Sequence, residues 1–166
     1  MTGTQTAATT VRLQREPFDV SAEAAKLTRG RTDVGAVVTF TGICRGNERE
    51  EPIAALTLEH YPDMAEAEIM RHVEEACARW PLLGVTVIHR YGRIVPGEDI
   101  MVVVTASSHR EAAFAAAEFL MDYLKTRAPF WKQVEKTSGN TWVEAKPTDD
   151  AAAARWNTGR KGEAAE

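Results

Sequence analysis

The spacing of apolar residues changes period several times along the chain, and each change marks an element. Gly35-Ala36-Val37-Val38-Thr39-Phe40-Thr41-Gly42-Ile43 is rich in β-branched and aromatic residues, which predicts a buried strand. In Ile53 to Tyr61, Leu56 and Leu58 share one parity and Thr57 and Glu59 the other, the mark of a strand with one wet face. Pro62 suits the first turn of a helix, and Ile69, Val73, Ala76, Cys77 and Trp80 then recur at helical spacing until Pro81 and Gly84. Val85 to Tyr91 reads as a strand and Gly92 to Asp99 as a turn. Ile100 to Ala106 is almost wholly apolar, which predicts a strand buried on both faces. Ser108-His109-Arg110-Glu111 fits the capping box that opens a helix. That helix runs to about Arg127, with Ala113, Ala116, Ala117, Leu120 and Leu124 inward.

The ends carry weaker patterns. Residues 1 to 16 read as a flexible arm, Phe18 to Val20 as a short strand, and Ser21 as the cap of a helix reaching Thr28, with a turn at Arg29 to Asp33. Past Pro129, Trp131 to Lys136 and Thr141 to Ala145 form a hairpin around Ser138-Gly139-Asn140. Residues 147 to 156 read as a short helix and 157 to 166 as a disordered tail. Strands come in adjacent pairs between helices, so the chain is expected to be α+β: one domain over residues 17 to 156, with a mixed or antiparallel sheet and flanking helices.

Composition removes several function classes. At 166 residues and 44% hydrophobic content the chain can build one core, and its net charge of −4 opposes nonspecific nucleic-acid binding. No apolar run approaches the roughly 18 residues a membrane span needs, and the polar start, Met1 to Thr10, is no secretory signal. Cys44 and Cys77 make neither a disulfide framework nor a metal pair, so the expected compartment is a reducing cytoplasm.

Candidate chemistry gathers around one helix stop. Pro129 cannot continue a helix and pushes Ala128 toward extended geometry, so the chain turns between Lys125 and Lys132. Two ammonium groups facing one site lower each other's pKa, and a lysine so tuned serves as base, nucleophile or anion ligand; the alternative is a pair of solvated surface lysines. Residues 121 to 146 hold five cations (Lys125, Arg127, Lys132, Lys136, Lys146) against three anions (Asp122, Glu135, Glu144), a local net charge of +2 in an acidic chain. His109 and Arg110 stand at a helix start, where free N–H groups favour an anion, or else they merely support the cap. Arg45 follows a strand at the mouth of a polar loop, Cys44 to Pro52. Cys44 beside it is weighed as a nucleophile, Cys77 as a core thiol and His89 as a structural histidine. There is no P-loop, no GxGxxG and no zinc motif. The residues alone reach a cytosolic α+β domain with a cationic site for a phosphorylated small molecule.

Several blocks taken together resemble a known family. They are Gly35 to Gly42 with Arg45, Leu56-Thr57-Leu58-Glu59-His60-Tyr61-Pro62-Asp63-Met64, Val87 to Gly92, Ser108-His109-Arg110, Met121 to Lys125 through Pro129-Phe130-Trp131-Lys132, and Trp142-Val143-Glu144-Ala145. In this order they resemble the large, catalytic subunits of molybdopterin synthase, the MoaE family, over about residues 17 to 156. The resemblance implies an α/β-hammerhead fold, a homodimer, and a heterotetramer with two small ubiquitin-like subunits. It implies no prosthetic group and no metal. Sulfur would arrive as a thiocarboxylate on the partner's C-terminal glycine, and cyclic pyranopterin monophosphate would gain the two sulfurs of a dithiolene. By the same resemblance Lys125 and Lys132 are catalytic, while Phe40, Arg45, His109, Arg110 and Lys146 bind substrate. Lys146 stands where the family usually has an arginine supplied by the other protomer, which keeps the charge and loses the bidentate fork. Cys44 also departs from the family's usual residue. Two other readings remain at this stage: a silent homologue that only docks a ubiquitin-like protein, and a phosphate-handling hydrolase with His109 as base.

Overall fold

The structure, a computed structural model, describes residues 6–143 and 147–160. The element order is β1 (Ala8–Gln14), α1 (Val20–Thr28), β2 (Ala36–Ile43), β3 (Asn47–Glu48), β4 (Glu51–His60), α2 (Pro62–Arg79), β5 (Leu82–Arg90), β6 (Gly92–Ile94), β7 (Asp99–Ser107), α3 (Arg110–Thr126), β8 (Phe130–Lys136), β9 (Gly139–Val143) and α4 (Pro147–Ala154), then a 3-10 turn over Arg155–Arg160. The expected α+β class and the main helices and strands are present.

Two sheets organise them. In the first, the order β1-β5-β7-β2 is mixed: β1 runs parallel to β5, and the other pairs are antiparallel. The second has the order β3-β4-β8-β9, with β6 also on β4. The apolar run predicted to lose water on both faces is β7. Val103 joins Val85, Val87, Ile69, Val73, Ala116 and Leu120 in the core beneath α2 and α3. Val102, Val104 and Ala106 face the other way, packing with Ile88 and with Leu27 of α1. Thr105, fully buried in the same strand, donates its hydroxyl to the Ala113 carbonyl at 2.7 Å and so ties β7 to α3.

The structure differs from the sequence reading at several places, among them the turn expected at Gly92 to Asp99, which opens with strand β6. Residues 8 to 14 are not an arm: Ala8 to Gln14 pair residue by residue with Gly84 to Arg90. Val11 is buried there, and Arg12 forms an ion pair with the buried Glu23 of α1. The polar Thr and Arg residues hid this strand because it lies at a sheet edge, where half of each residue stays wet. Phe18 to Val20 is no strand; Asp19 caps α1 by accepting from the Ala22 N–H at 2.9 Å. The strand expected to be buried, β2, is the other edge, with Val37, Phe40 and Ile43 exposed. The capping box at Ser108 does not form: the Ser108 hydroxyl donates to the Asp33 carbonyl, and α3 starts from His109 with no side-chain cap. Gly35 explains the detour, since a Cβ there would stand 2.2 Å from the Ser108 carbonyl oxygen. At the chain's end, Asn157 to Arg160 continue the 3-10 turn, whereas the rest of the expected tail, residues 161–166, lies outside the described residues.

Leu120→Ala is expected to cost about 2–5 kcal/mol in denaturant unfolding, because it empties a fully buried site. Val37→Ala on the exposed edge should cost under about 1 kcal/mol. Equal costs at the two positions would contradict this assignment of core and edge.

Candidate functional site

The C-terminal end of α3 is built to stop and turn. The Arg127 and Ala128 N–H groups both donate to the Tyr123 carbonyl, at 2.9 and 3.2 Å, and the Phe130 N–H donates to the Ala128 carbonyl at 2.8 Å. Pro129 lies inside that turn, as its fixed φ and missing donor require. Phe130 anchors it by stacking on the His89 ring at 4.1 Å between centroids, with His60 at 5.9 Å on another side. His60 in turn lies 4.4 Å from Tyr91, and the Arg15 guanidinium covers Tyr91 at 4.7 Å. Trp131 meets Tyr61 edge-on at 4.5 Å. The turn between the two lysines is therefore gripped by aromatic rings from β4 and β5.

Alternation along β8 then aims Lys132. It has the parity of Val134, which is buried with Leu56, Leu58, Ile94 and Cys44. Lys132 pairs in register with Leu58 and Val143, so its stem runs along this apolar cluster. Burial, and next the Lys125 ammonium, hold Lys132 below the ordinary lysine value; Arg45 acts in the same direction and Glu48 opposes. Lys125 itself is exposed at the last turn of α3. Arg45 is positioned by its neighbour: the Cys44 N–H donates to the Glu98 carbonyl at 2.9 Å, and the Gly97 N–H donates to the Cys44 carbonyl at 2.8 Å. Beyond it the polar loop is a tight hairpin, β3–β4, whose tip residues Arg49 and Glu50 take positive φ of 49° and 69°. Lys136 links the hairpin back to β8 through Glu48 at 3.4 Å and Glu51 at 3.5 Å.

Lys125 and Arg45 thus both act electrostatically on Lys132. Cys44 lies beside them but is 4% exposed, and burial pushes its thiol up, which removes it as a nucleophile. Cys77 is half-buried against the main core. Phe40 is exposed on β2, five residues before Arg45. His109 and Arg110 are not brought to the lysines within one chain: Arg110 and Lys125 are fifteen steps apart along α3, about 22 Å at about 1.5 Å per residue. Lys146 lies outside the described residues. Among the described residues no His, Cys, Asp and Glu group is arranged to hold a metal, and no helix is long and apolar enough to cross a membrane. Sequence reasoning missed Glu48, since a two-residue strand leaves no periodic signal, and the part that His60, His89 and Phe130 play in holding the lysine turn. A cavity of about 520 Å³ opens beside His60 and Tyr91, but Asp63 and Glu66 line it and neither lysine does. The cationic site is the better candidate for an anionic substrate.

The comparisons agree with one another. The family model described as MoaE protein matches residues 13–127. The chain is similar to the molybdopterin synthase catalytic subunit of Mesorhizobium japonicum, with 62% identity over 91% of this chain and 95% of the relative. It is similar in structure to a molybdopterin biosynthesis MoaE protein from Burkholderia ambifaria, with a TM-score of 0.76, 45% identity, and coverage of 90% and 98% of the two chains. A Helicobacter pylori structure described as a complex of subunits 1 and 2 of molybdopterin-converting factor shares the fold, with a TM-score of 0.65 at 19% identity over 82% and 90%.

His89 gives a pH test of the anchor. It is buried, its Nδ1–H donates to the Arg90 carbonyl at 2.8 Å, and burial pushes its pKa from 6.5 down to about 4. Between those values the unfolded chain holds a proton that the fold excludes. The stability contribution is therefore complete above pH 6.5 and lost as pH falls to about 4. His60 and His72 shift the same way, also by burial. His89→Phe, which keeps a ring on Phe130, is expected to flatten the decline between pH 7 and 4 by on the order of 3 kcal/mol, read from denaturation at each pH. An unchanged slope in the variant would place the titration elsewhere.

Proposed function

The chain belongs to the MoaE family, and from that premise we propose that it works as the catalytic subunit of a molybdopterin synthase, moving sulfur from a small ubiquitin-like partner onto cyclic pyranopterin monophosphate. One observation supports the reading: Lys132, across a proline stop from Lys125, is held below the ordinary lysine value by burial and by the charges of Lys125 and Arg45. A lysine depressed in this way gives up its proton more readily than an ordinary surface lysine, and the cations beside it attract anions.

The division of labour follows from these environments. Lys125, at the open end of α3, polarises the thiocarboxylate carbonyl of the incoming tail or bonds it transiently. Lys132, on its dry stem, takes or returns the proton. Arg45 receives the substrate phosphate, for which a guanidinium is suited. The sulfur needs no cysteine on this chain, in accord with the buried, disfavoured thiol of Cys44. No prosthetic group enters the reaction as proposed. Two unpaired thiols fit a reducing cytoplasm.

His109 and Arg110 enter the proposal through a second copy of the chain. The exposed Val37, Phe40 and Ile43 lie along edge strand β2, whose Val37 end pairs with β7 just before α3, and Phe114 is exposed on α3. A homodimer covering that edge would bring His109 and Arg110 of one protomer to the lysine end of its partner, with Phe40 in the wall. Lys146 is assigned the same substrate-binding role from the other protomer. The small partner then docks at each lysine site, giving two of each subunit; a complex of subunits 1 and 2 is described for the Helicobacter pylori protein of the same fold.

Reconstitution with a thiocarboxylated small subunit and cyclic pyranopterin monophosphate is the direct test. Product, assayed after oxidation to its fluorescent form, should require both and vanish in Lys125→Ala while the variant stays folded. Wild-type-like turnover in that variant would remove Lys125 from the mechanism, and a stable complex without product would favour the docking-only reading. Mixing inactive Lys125→Ala and Arg110→Ala chains tests the shared site. Random dimers should recover about a quarter of wild-type activity, because half the dimers are mixed and each mixed dimer has one intact site. No recovery would confine all the residues to one protomer.

A further inference from the structure

Between α2 and α3, with Ala153, Trp156 and Asn157 along one side, lies an open cavity of about 120 Å³ that the sulfur-transfer reading does not use. It has room for roughly four waters at about 30 Å³ each, the scale of one small polar group. Its walls come from two helical rows at four-residue spacing: Arg71, Glu75 and Arg79 on α2, and Phe119, Tyr123 and Arg127 on α3. Three guanidinium groups thus line it against one carboxylate, in a chain whose net charge is −4.

The wall groups divide into those already engaged and those left open. Arg79 is fixed, lying over the Phe119 ring at 4.8 Å and donating to Glu75 at 2.8 Å and to the Trp156 carbonyl at 3.0 Å. Glu75 is engaged by that bond. Arg71 spends one N–H on Glu68 at 2.9 Å and keeps others, because a guanidinium has five. Arg127 caps α3 through its backbone N–H alone, and its guanidinium has no partner among the described residues. Tyr123 is 4% exposed, and its hydroxyl is buried without a partner. A hydroxyl so placed costs about 1–3 kcal/mol and calls for an explanation. The His72 ring stacks on Tyr123 at 3.3 Å and gives its Nδ1–H to the Glu68 carbonyl, so Nε2 has no partner.

We propose that this cavity binds a small oxyanion, a phosphate or carboxylate group, held by the Arg71 and Arg127 guanidinium groups and the Tyr123 hydroxyl. Arginine presents a planar fork matched to either anion, and the hydroxyl gains its missing partner when an oxygen enters. The position is separate from the lysine site. Lys125 is two residues from both Tyr123 and Arg127, about 200° around the helix, so an anion here occupies the opposite face of the same final turn. Occupancy would brace the turn that carries Lys125 from behind.

The test is a titration of the full chain with inorganic phosphate and, separately, with acetate, following the His72 ring by NMR. A saturable shift is expected with at least one of them, and the tighter binder identifies phosphate or carboxylate as the class. Arg127→Ala should weaken it about tenfold or more, and Tyr123→Phe, which keeps the ring stack, several-fold. Arg45→Ala should leave it unchanged. No shift at His72 with tens of millimolar of either anion would overturn the proposal. So would a shift that survives in both cavity variants, or one that disappears with Arg45→Ala.

Discussion

The drying of β7 on both faces is the constraint on which the rest of the molecule depends. A strand whose Val102, Val103 and Val104 are all fully buried cannot be satisfied by one layer. It needs α2 and α3 on one side, α1 on the other, and a hydrogen-bonded strand along each edge. Each of these demands fixes something useful. Docking α3 on β7 through Ala113, Ala116 and Leu120 sets where its last turn ends, and hence where Lys125 emerges. Pairing β2 along one edge sets where its last residue ends, and hence where Arg45 enters the loop.

The second sheet supplies what the first cannot. Its inner face is small and apolar, and Lys132 is threaded along it so that the amine sits between a dry stem and a neighbouring ammonium. Lowering a lysine pKa costs free energy in the fold, since the charged form is the stable one in water. The aromatic grip on Phe130 by His89 and His60 holds the turn between the two lysines. Stability and reactivity meet at the same few rings.

The long periodic elements were legible in the sequence because burial decides them. The apolar run of β7, the stripes of α2 and α3 and the Leu56/Leu58 parity all reappear as cores. What was not legible depends on neighbours distant in sequence. Whether Val37 and Phe40 lie at a centre or an edge is set by which strands stop beside them, and no local pattern encodes that. The cap expected at Ser108 gives way to a longer-range bond to Asp33, a competition invisible to local spacing. At the site, the pairing of Lys125 with Lys132 was readable because a proline stop lies between them in the chain. The grip of His60, His89 and Phe130 on that turn was not, because it joins β4, β5 and β8, which lie far apart in sequence.

The parallel edge has a consequence for how the chain is made. Strand β1, Ala8 to Gln14, leaves the ribosome well before its partner at Gly84 to Arg90, and that partner is itself completed by β7, ending at Ser107. At synthesis rates of about 5–20 residues per second, β1 waits roughly 4 to 15 s for an edge to pair with. During that interval it must stay soluble by itself. Its threonines, arginine and glutamine, which disguised it as an arm, are what let a nascent strand remain hydrated until its place in the sheet exists.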